Sequence, residues 1–207
     1  MDKKIISVVG ATGSQGESVV THLLKTADFY VRALTRTPEN YIGKAHEAVK
    51  INLNDPEMLF NAFKGSYGVF VVTNSWEGRN EIDQAINAVD AAKKAGVKHY
   101  IWSTLPNVEG IKKRKYIVPP FANKSKVNEY VKIAEFQYST FIKAPLYNQN
   151  LSGTTVLQQN KSNSVDWTLP VNTNKKVFHI RDLNDLGKVV SGCFLNPDKT
   201  LITGYLA

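Results

Sequence analysis

The chain has 207 residues, 43% of them hydrophobic, and a formal net charge of +8. That length suits one good core in a single domain spanning 1–207, and no apolar run approaches the roughly 20 residues a bilayer span requires. The single cysteine, Cys193, excludes an internal disulfide framework and fits a reducing compartment. The positive charge suits either a polyanionic partner such as nucleic acid or a multiply charged cofactor held among solvated lysines.

Met1-Asp2-Lys3-Lys4 leads straight into a β-branched run, so no signal peptide is expected and a cytoplasmic location is. Ile5 to Val9 reads as a strand. It enters the turn Gly10-Ala11-Thr12-Gly13-Ser14-Gln15-Gly16, and Val19, Val20, Leu23 and Leu24 then recur at helical spacing. Strand, glycine turn and helix together form the device by which α/β proteins hold a dinucleotide pyrophosphate. The first glycine permits the tight turn, the second lets backbone approach phosphate, and the third lets the helix pack close to the strand. The helix N-terminus then faces the ligand.

Tyr30 to Thr35 reads as the second strand. NAD-binding proteins usually place an acidic residue at its end, about 20 residues past the glycines, to hold the ribose hydroxyls. This chain has Arg36 there. A guanidinium can pair with a 2′-phosphate, which favours NADP; the alternative is a surface arginine. Ala48 to Ile51 is a short third strand ending at Asn52, which can meet an adenine edge. Asp55 and Pro56 open a helix through Phe63. Gly68 to Asn74 is nearly all apolar until Thr73 and Asn74, as expected of a central parallel strand with its polar end on the ligand side.

Ile82, Ala85, Ile86, Val89 and Ala92 mark an amphipathic helix stopped at Gly96, followed by a strand over 97–102 ending at Ser103-Thr104. His99 within that strand reads as structural, and none of His22, His46, His99 and His179 has metal-ligand spacing to another. The cluster Lys112-Lys113-Arg114-Lys115 suits nuclear import, phosphate contact or a solvated loop. Pro119-Pro120 leads to a helix bearing Val127, Tyr130, Val131 and Ala134, and Ser139 to Ala144 is the next strand, broken at Pro145. The remainder, 146–207, is less regular; within it Asp182 to Gly187 resembles a helix start, and Cys193 beside Phe194 reads as a buried apolar residue or a redox-responsive thiol. Alternation from residue 4 to about 144 predicts an α/β fold with a doubly wound parallel sheet, its core in 1–145.

Val8 to Gly16, Leu34 to Pro38, Val71-Val72-Thr73-Asn74-Ser75-Trp76-Glu77 and Phe121 to Val127 together resemble the NmrA-like family, atypical members of the short-chain dehydrogenase/reductases with a Rossmann-type NAD(P)-binding fold. The resemblance implies NADP(H), with NAD(H) also admitted, bound along the strand ends, often without turnover, in proteins that sense redox state and bind regulatory partners. By position it assigns Gly10, Ala11, Thr12, Gly13, Ser14, Gln15 and Gly16 to the pyrophosphate, Arg36 and Thr37 to the 2′-phosphate, and Asn52 and Leu53 to the adenine. Thr73, Asn74 and Ser75 would line the middle of the cofactor, and Lys124 with Tyr147, Asn148 and Asn150 its nicotinamide end. On pattern alone, Lys124 also reads as a solvated lysine opening a helix.

Three departures stand out. Carbonyl-reducing relatives use Tyr-x-x-x-Lys, whose lysine lowers the tyrosine pKa; Pro120 stands four residues before Lys124, and the sequence contains no such motif. Ile86 stands where family members often carry lysine. Relatives also continue beyond Gly204-Tyr205-Leu206-Ala207, so the C-terminal substrate or partner region is expected to be missing or much reduced, the chain being either a fragment or a short member with an open cleft. The leading expectation is an NADP(H)-binding, redox-sensing regulator of cytoplasm or nucleus, acting through a protein partner with little or no dehydrogenase activity. The alternative is an NADPH-dependent reductase of quinones or other small carbonyls, with Lys124 and Tyr147 as its candidate catalytic groups. A third reading, an interaction module using Lys112 to Lys115, lacks base-reading geometry, so direct nucleic-acid contact is not expected.

Overall fold

The computed structural model describes residues 2–74, 81–107, 119–152, 157–159, 162, 164–167, 174, 180–200 and 204–206. The β-branched runs become β1 (Lys4–Val9), β2 (Phe29–Thr35), β3 (Glu47–Lys50), β4 (Ser66–Val71), β5 (His99–Thr104) and β6 (Tyr138–Lys143). Between them lie α1 (Ser14–Thr26), α2 (Pro56–Phe63), α3 (Glu81–Lys94) and α4 (Pro119–Ile133). Short strands β7 (Leu146–Tyr147), β8 (Leu157–Gln159), β9 (Val165–Trp167) and β10 (Ile180–Arg181) follow, then α5 (Leu183–Leu195) and β11 (Gly204–Leu206).

One sheet runs in the order β11-β6-β5-β4-β1-β2-β3, and all its neighbouring strands are parallel. Period-two alternation distributes its side chains to two cores. Ile6, Val8, Val31 and Phe70 pack beneath α1 and α5, whereas Val9, Leu34, Val69 and Val71 pack beneath α2, α3 and α4. Each large side chain so buried contributes about 1.5–3 kcal/mol. The fold is therefore the expected doubly wound α/β sheet. From β1 the chain winds outward through β2 and β3, then returns past β1 to β4, β5 and β6. At that reversal successive connections diverge, and a crevice opens beyond the carboxyl ends of β1 and β4.

Local chemistry sets the helix starts. Asp55 accepts a hydrogen bond from Met58 N at 2.9 Å and caps α2, and Asp182 accepts one from Asn184 N at 2.8 Å and caps α5. Pro119 and Pro120 are the opening residues of α4 rather than part of the loop before it; a first-turn residue has no intrahelical N–H bond to lose. β4 stops at Val71 instead of reaching Asn74, while β5 extends through Ser103 and Thr104, which pair in register with Ile142 and Lys143. Helix α5 is seated on α1 by polar contacts: Ser18 Oγ donates to Leu183 O at 2.9 Å and accepts from Gly187 N at 3.2 Å.

His99 is structural, as its sequence context indicates. It is fully buried, and its Nε2 lies 2.9 Å from Thr140 Oγ1. Cys193 is buried too, and burial pushes its thiol up to about 11. Among the described residues no cluster of His, Cys, Asp or Glu could hold a metal, and no helix is long and apolar enough to cross a membrane. Ser75, Trp76, Glu77, Lys112 to Lys115 and His179 lie outside the described residues.

Candidate functional site

The end of β1 turns through Gly10, whose φ of +70° falls in the left-handed region that glycine enters without strain. Gly13 N donates to Gly10 O at 2.9 Å and closes the turn. A Cβ on Gly16 would stand 2.8 Å from Ala11 Cα and closer still to the Gly10 carbonyl, so only glycine lets α1 start flush against the strand in this arrangement. Gly13, the N-cap of α1, makes no side-chain capping bond. The first-turn N–H groups of α1 are thus directed to the crevice without a side-chain cap, which is how a helix receives phosphate.

A groove of about 890 Å³ runs along the carboxyl ends of β1 to β5, within the range for small-molecule and cofactor sites. Of the residues read from sequence, Gly10, Thr12, Gly13, Ser14, Gln15, Gly16, Arg36, Asn52, Leu53, Thr73, Asn74, Lys124 and Tyr147 line it. Four others stand apart from the lining. Ala11 is 1% exposed behind the loop, its N–H donating to Leu34 O at 3.4 Å. Thr37 is exposed, with its N–H bonded to Thr35 Oγ1 at 3.3 Å. Asn148 and Asn150 are exposed in the 3-10 turn that follows β7.

The side of the groove at the end of β3 is braced by local bonds. Asn52 Oδ1 accepts from Asn54 N at 3.0 Å, and Asn87 Nδ2 on α3 donates to Leu53 O at 3.0 Å. Across the middle, Ser103 Oγ donates to Gln15 Oε1 at 2.7 Å, joining the start of α1 to the end of β5.

At the far end lies a buried charged cluster. Lys124, only 7% exposed, donates through Nζ to Thr73 O at 2.9 Å and Thr73 Oγ1 at 3.0 Å. The same ammonium is 3.1 Å from Glu81 Oε1, which also accepts from Thr73 Oγ1 at 2.8 Å. The Trp102 ring centroid is 5.0 Å from Nζ. Burial draws the Lys124 ammonium below the usual lysine range, and the Glu81 carboxylate opposes that shift. An ammonium has three N–H donors, and three oxygens lie within 3.1 Å of this one. Tyr147 is 9% exposed, and its hydroxyl has no hydrogen-bond partner among the described residues; burial pushes its pKa up. Leu105, Pro120, Phe121 and Ala144 make this end of the groove largely apolar.

Glu81 and the Ser103 hydroxyl are contributions that sequence reasoning missed. A signal for Glu81 existed. It precedes Ala85, Ala88 and Ala92 at helical spacing, so a carboxylate occupies the first turn of the stripe that α3 buries. Ser103 had only its position at a strand end.

The pattern of the NmrA-like family matches residues 2–207. An NmrA-like family domain-containing protein of Dictyostelium discoideum is 34% identical, covering 96% of this chain and 70% of that protein. An NmrA-like family domain-containing oxidoreductase of Malbranchea aurantiaca is 30% identical over 95% of this chain and 65% of its own length. Among solved structures, NmrA, a negative transcriptional regulator, superposes with a TM-score of 0.86 in its complex with NAD and 0.85 in its complex with NADP. The identities are 25% and 26%, and each alignment covers 100% of this chain and 66% of NmrA. The chain thus spans about two thirds of the length of these proteins. Glycine loop, switch-point groove, strand order and family match agree: the chain belongs to the NmrA-like family.

Proposed function

We propose that the chain binds NADP(H) in this groove as a redox-sensing regulator with little or no turnover of its own. The residues present fit such a ligand. The bare first-turn amides of α1 and the glycine backbone suit a pyrophosphate, Asn52 and Leu53 border the adenine end, and Arg36, exposed at the end of β2, lines the groove where a 2′-phosphate would favour a guanidinium. NmrA itself has been solved with both NAD and NADP, which supports a dinucleotide here; Arg36 supports the phosphorylated form.

The observation that carries the regulatory half is the hold of Thr73 and Glu81 on the Lys124 ammonium, in a chain without a Tyr-x-x-x-Lys pair. Lys124 Nζ is hydrogen-bonded to Thr73 and ion-paired with Glu81, and burial, by raising the Tyr147 pKa, makes that phenol a weaker acid. Without a positioned acid, carbonyl reduction loses a factor of roughly 10²–10⁴. Regulation further requires that the ligand bind two conformations unequally, read out by a protein partner. Calorimetric titration with NADP, NADPH, NAD and NADH tests the binding: micromolar affinity with NADP(H) preferred is expected, and failure of all four refutes it.

A second reading, an NADPH-dependent reductase of quinones or small carbonyls, draws on the apolar far end of the groove and on relatives named as oxidoreductases. A quinone needs only hydride from NADPH, with solvent supplying the proton. Steady NADPH oxidation with a quinone panel, lost in Lys124→Ala, would favour it over the regulator.

A further inference from the structure

Glu81 and Lys124 belong to different layers of the site. The carboxylate sits on the first turn of α3 and the ammonium on the second turn of α4, and Thr73, just past the end of β4, touches both. Glu81 is 2% exposed. Lys124 nevertheless lines the groove, so the charge nearest the far end of a bound ligand is already neutralised from behind. A pair serving stability alone has no need of this place. Hydrophobic residues of similar volume commonly hold a core as well as a buried ion pair does, and both cores of this sheet are built that way.

We propose that Glu81 is a built-in competitor of the bound nucleotide, holding the Lys124 ammonium and thereby setting the affinity of the far half of the groove. The proposal rests on the dinucleotide reading above. A dinucleotide brings phosphates and ribose hydroxyls, acceptors for the same N–H groups that Glu81 and Thr73 occupy. To engage them, Lys124 must give up part of its internal set, and the free energy of that exchange is subtracted from binding. Without the carboxylate's negative charge, the ammonium remains in the groove wall with its charge uncompensated, and an anionic ligand gains that charge.

The test is calorimetric titration of NADP into the wild-type chain, Glu81→Gln, Lys124→Met and the double variant, at low and high salt. Glu81→Gln is expected to bind NADP roughly tenfold more tightly than wild type, the scale of one hydrogen bond to a charged group. The gain should shrink at high salt and disappear when Lys124 is methionine, which a merely structural role for Glu81 would not produce. Glu81→Asp keeps the charge on a shorter arm and is expected to show a smaller gain; it also provides a folded variant should Glu81→Gln fail to fold. An unchanged or weakened affinity in the folded Glu81 variants overturns the inference while leaving the dinucleotide reading intact, as does a gain that persists in the Lys124→Met background. No binding by the wild-type chain overturns the reading and the inference together.

Discussion

Replacing His99 by glutamine should flatten the acid side of the stability profile. Thr140 Oγ1 has one proton, which it donates to Thr200 O at 3.1 Å, so it accepts from His99 Nε2–H at 2.9 Å. That fixes the tautomer and leaves Nδ1 as a bare lone pair, buried without a partner among the described residues. Protonating Nδ1 would place an uncompensated charge beside the rings of Phe194 and Tyr138, 4.9 and 5.6 Å away between centroids. Burial accordingly lowers the His99 pKa from 6.5 to about 4.

Above pH 6.5 the imidazole is neutral in both folded and unfolded chains and adds no pH dependence. Between 6.5 and about 4 the unfolded chain takes up a proton that the folded chain refuses, so stability falls as pH drops through that window. At about 1.4 kcal/mol per pH unit, the interval amounts to about 3 kcal/mol. Glutamine carries no charge at any pH and can still donate to Thr140. It loses ring contacts, at a cost of about 1–2 kcal/mol at neutral pH. Urea denaturation of both proteins across this range measures the effect, because subtracting the two curves cancels the common carboxylates. Wild type should lead at neutral pH and lose its lead toward pH 4. Parallel curves, or a folded-state His99 titration near the unperturbed value, would refute the reasoning.

Lys124→Met removes the ammonium 3.1 Å from the buried Glu81 carboxylate and should destabilise the chain by about 3–5 kcal/mol in urea, whereas Lys124→Met combined with Glu81→Leu should recover most of that loss. Arg36→Ala should weaken NADP binding by roughly tenfold or more while changing NAD affinity by less than about twofold, since only the former has the extra phosphate; calorimetry with both nucleotides decides it. Gly187→Ala would bring a Cβ to 2.5 Å from Ser18 Oγ and 2.6 Å from His22 Nδ1. It should cost about 1–3 kcal/mol from overpacking, outweighing a helix-propensity gain of up to about 1 kcal/mol, and a lowered Tm would register it.

Features with a purely local cause were legible in the sequence. Gly10, Gly13 and Gly16 announce the turn because the backbone they allow belongs to few other residues, and Asp55 and Asp182 announce helix starts because each satisfies an N–H two or three residues on. Val69 to Val71 read as a central strand from burial on both faces. Contacts between distant segments left weaker traces. β11 has three residues, too few to show a period, and gains its identity only from pairing with β6. Glu81 drew no reading in the sequence because its buried partner lies on another helix, and Asn148 and Asn150, assigned to the cofactor by resemblance, are exposed outside the groove lining.

Helix α1 faces in two directions. Its first turn, wedged against the Gly10 carbonyl through Gly16, meets the groove, while Ser18 and His22 on the next turns form the seat of α5. A close-packed contact of this kind does not cushion movement. If a nucleotide tilts the front of α1 by even a few tenths of an ångström, the rear swings with it and carries its passenger helix along. The outer flank of α5, where Asn184 and Lys188 lie, is therefore a lever arm: a spin label or dye placed there would sense occupancy of a groove that it never touches.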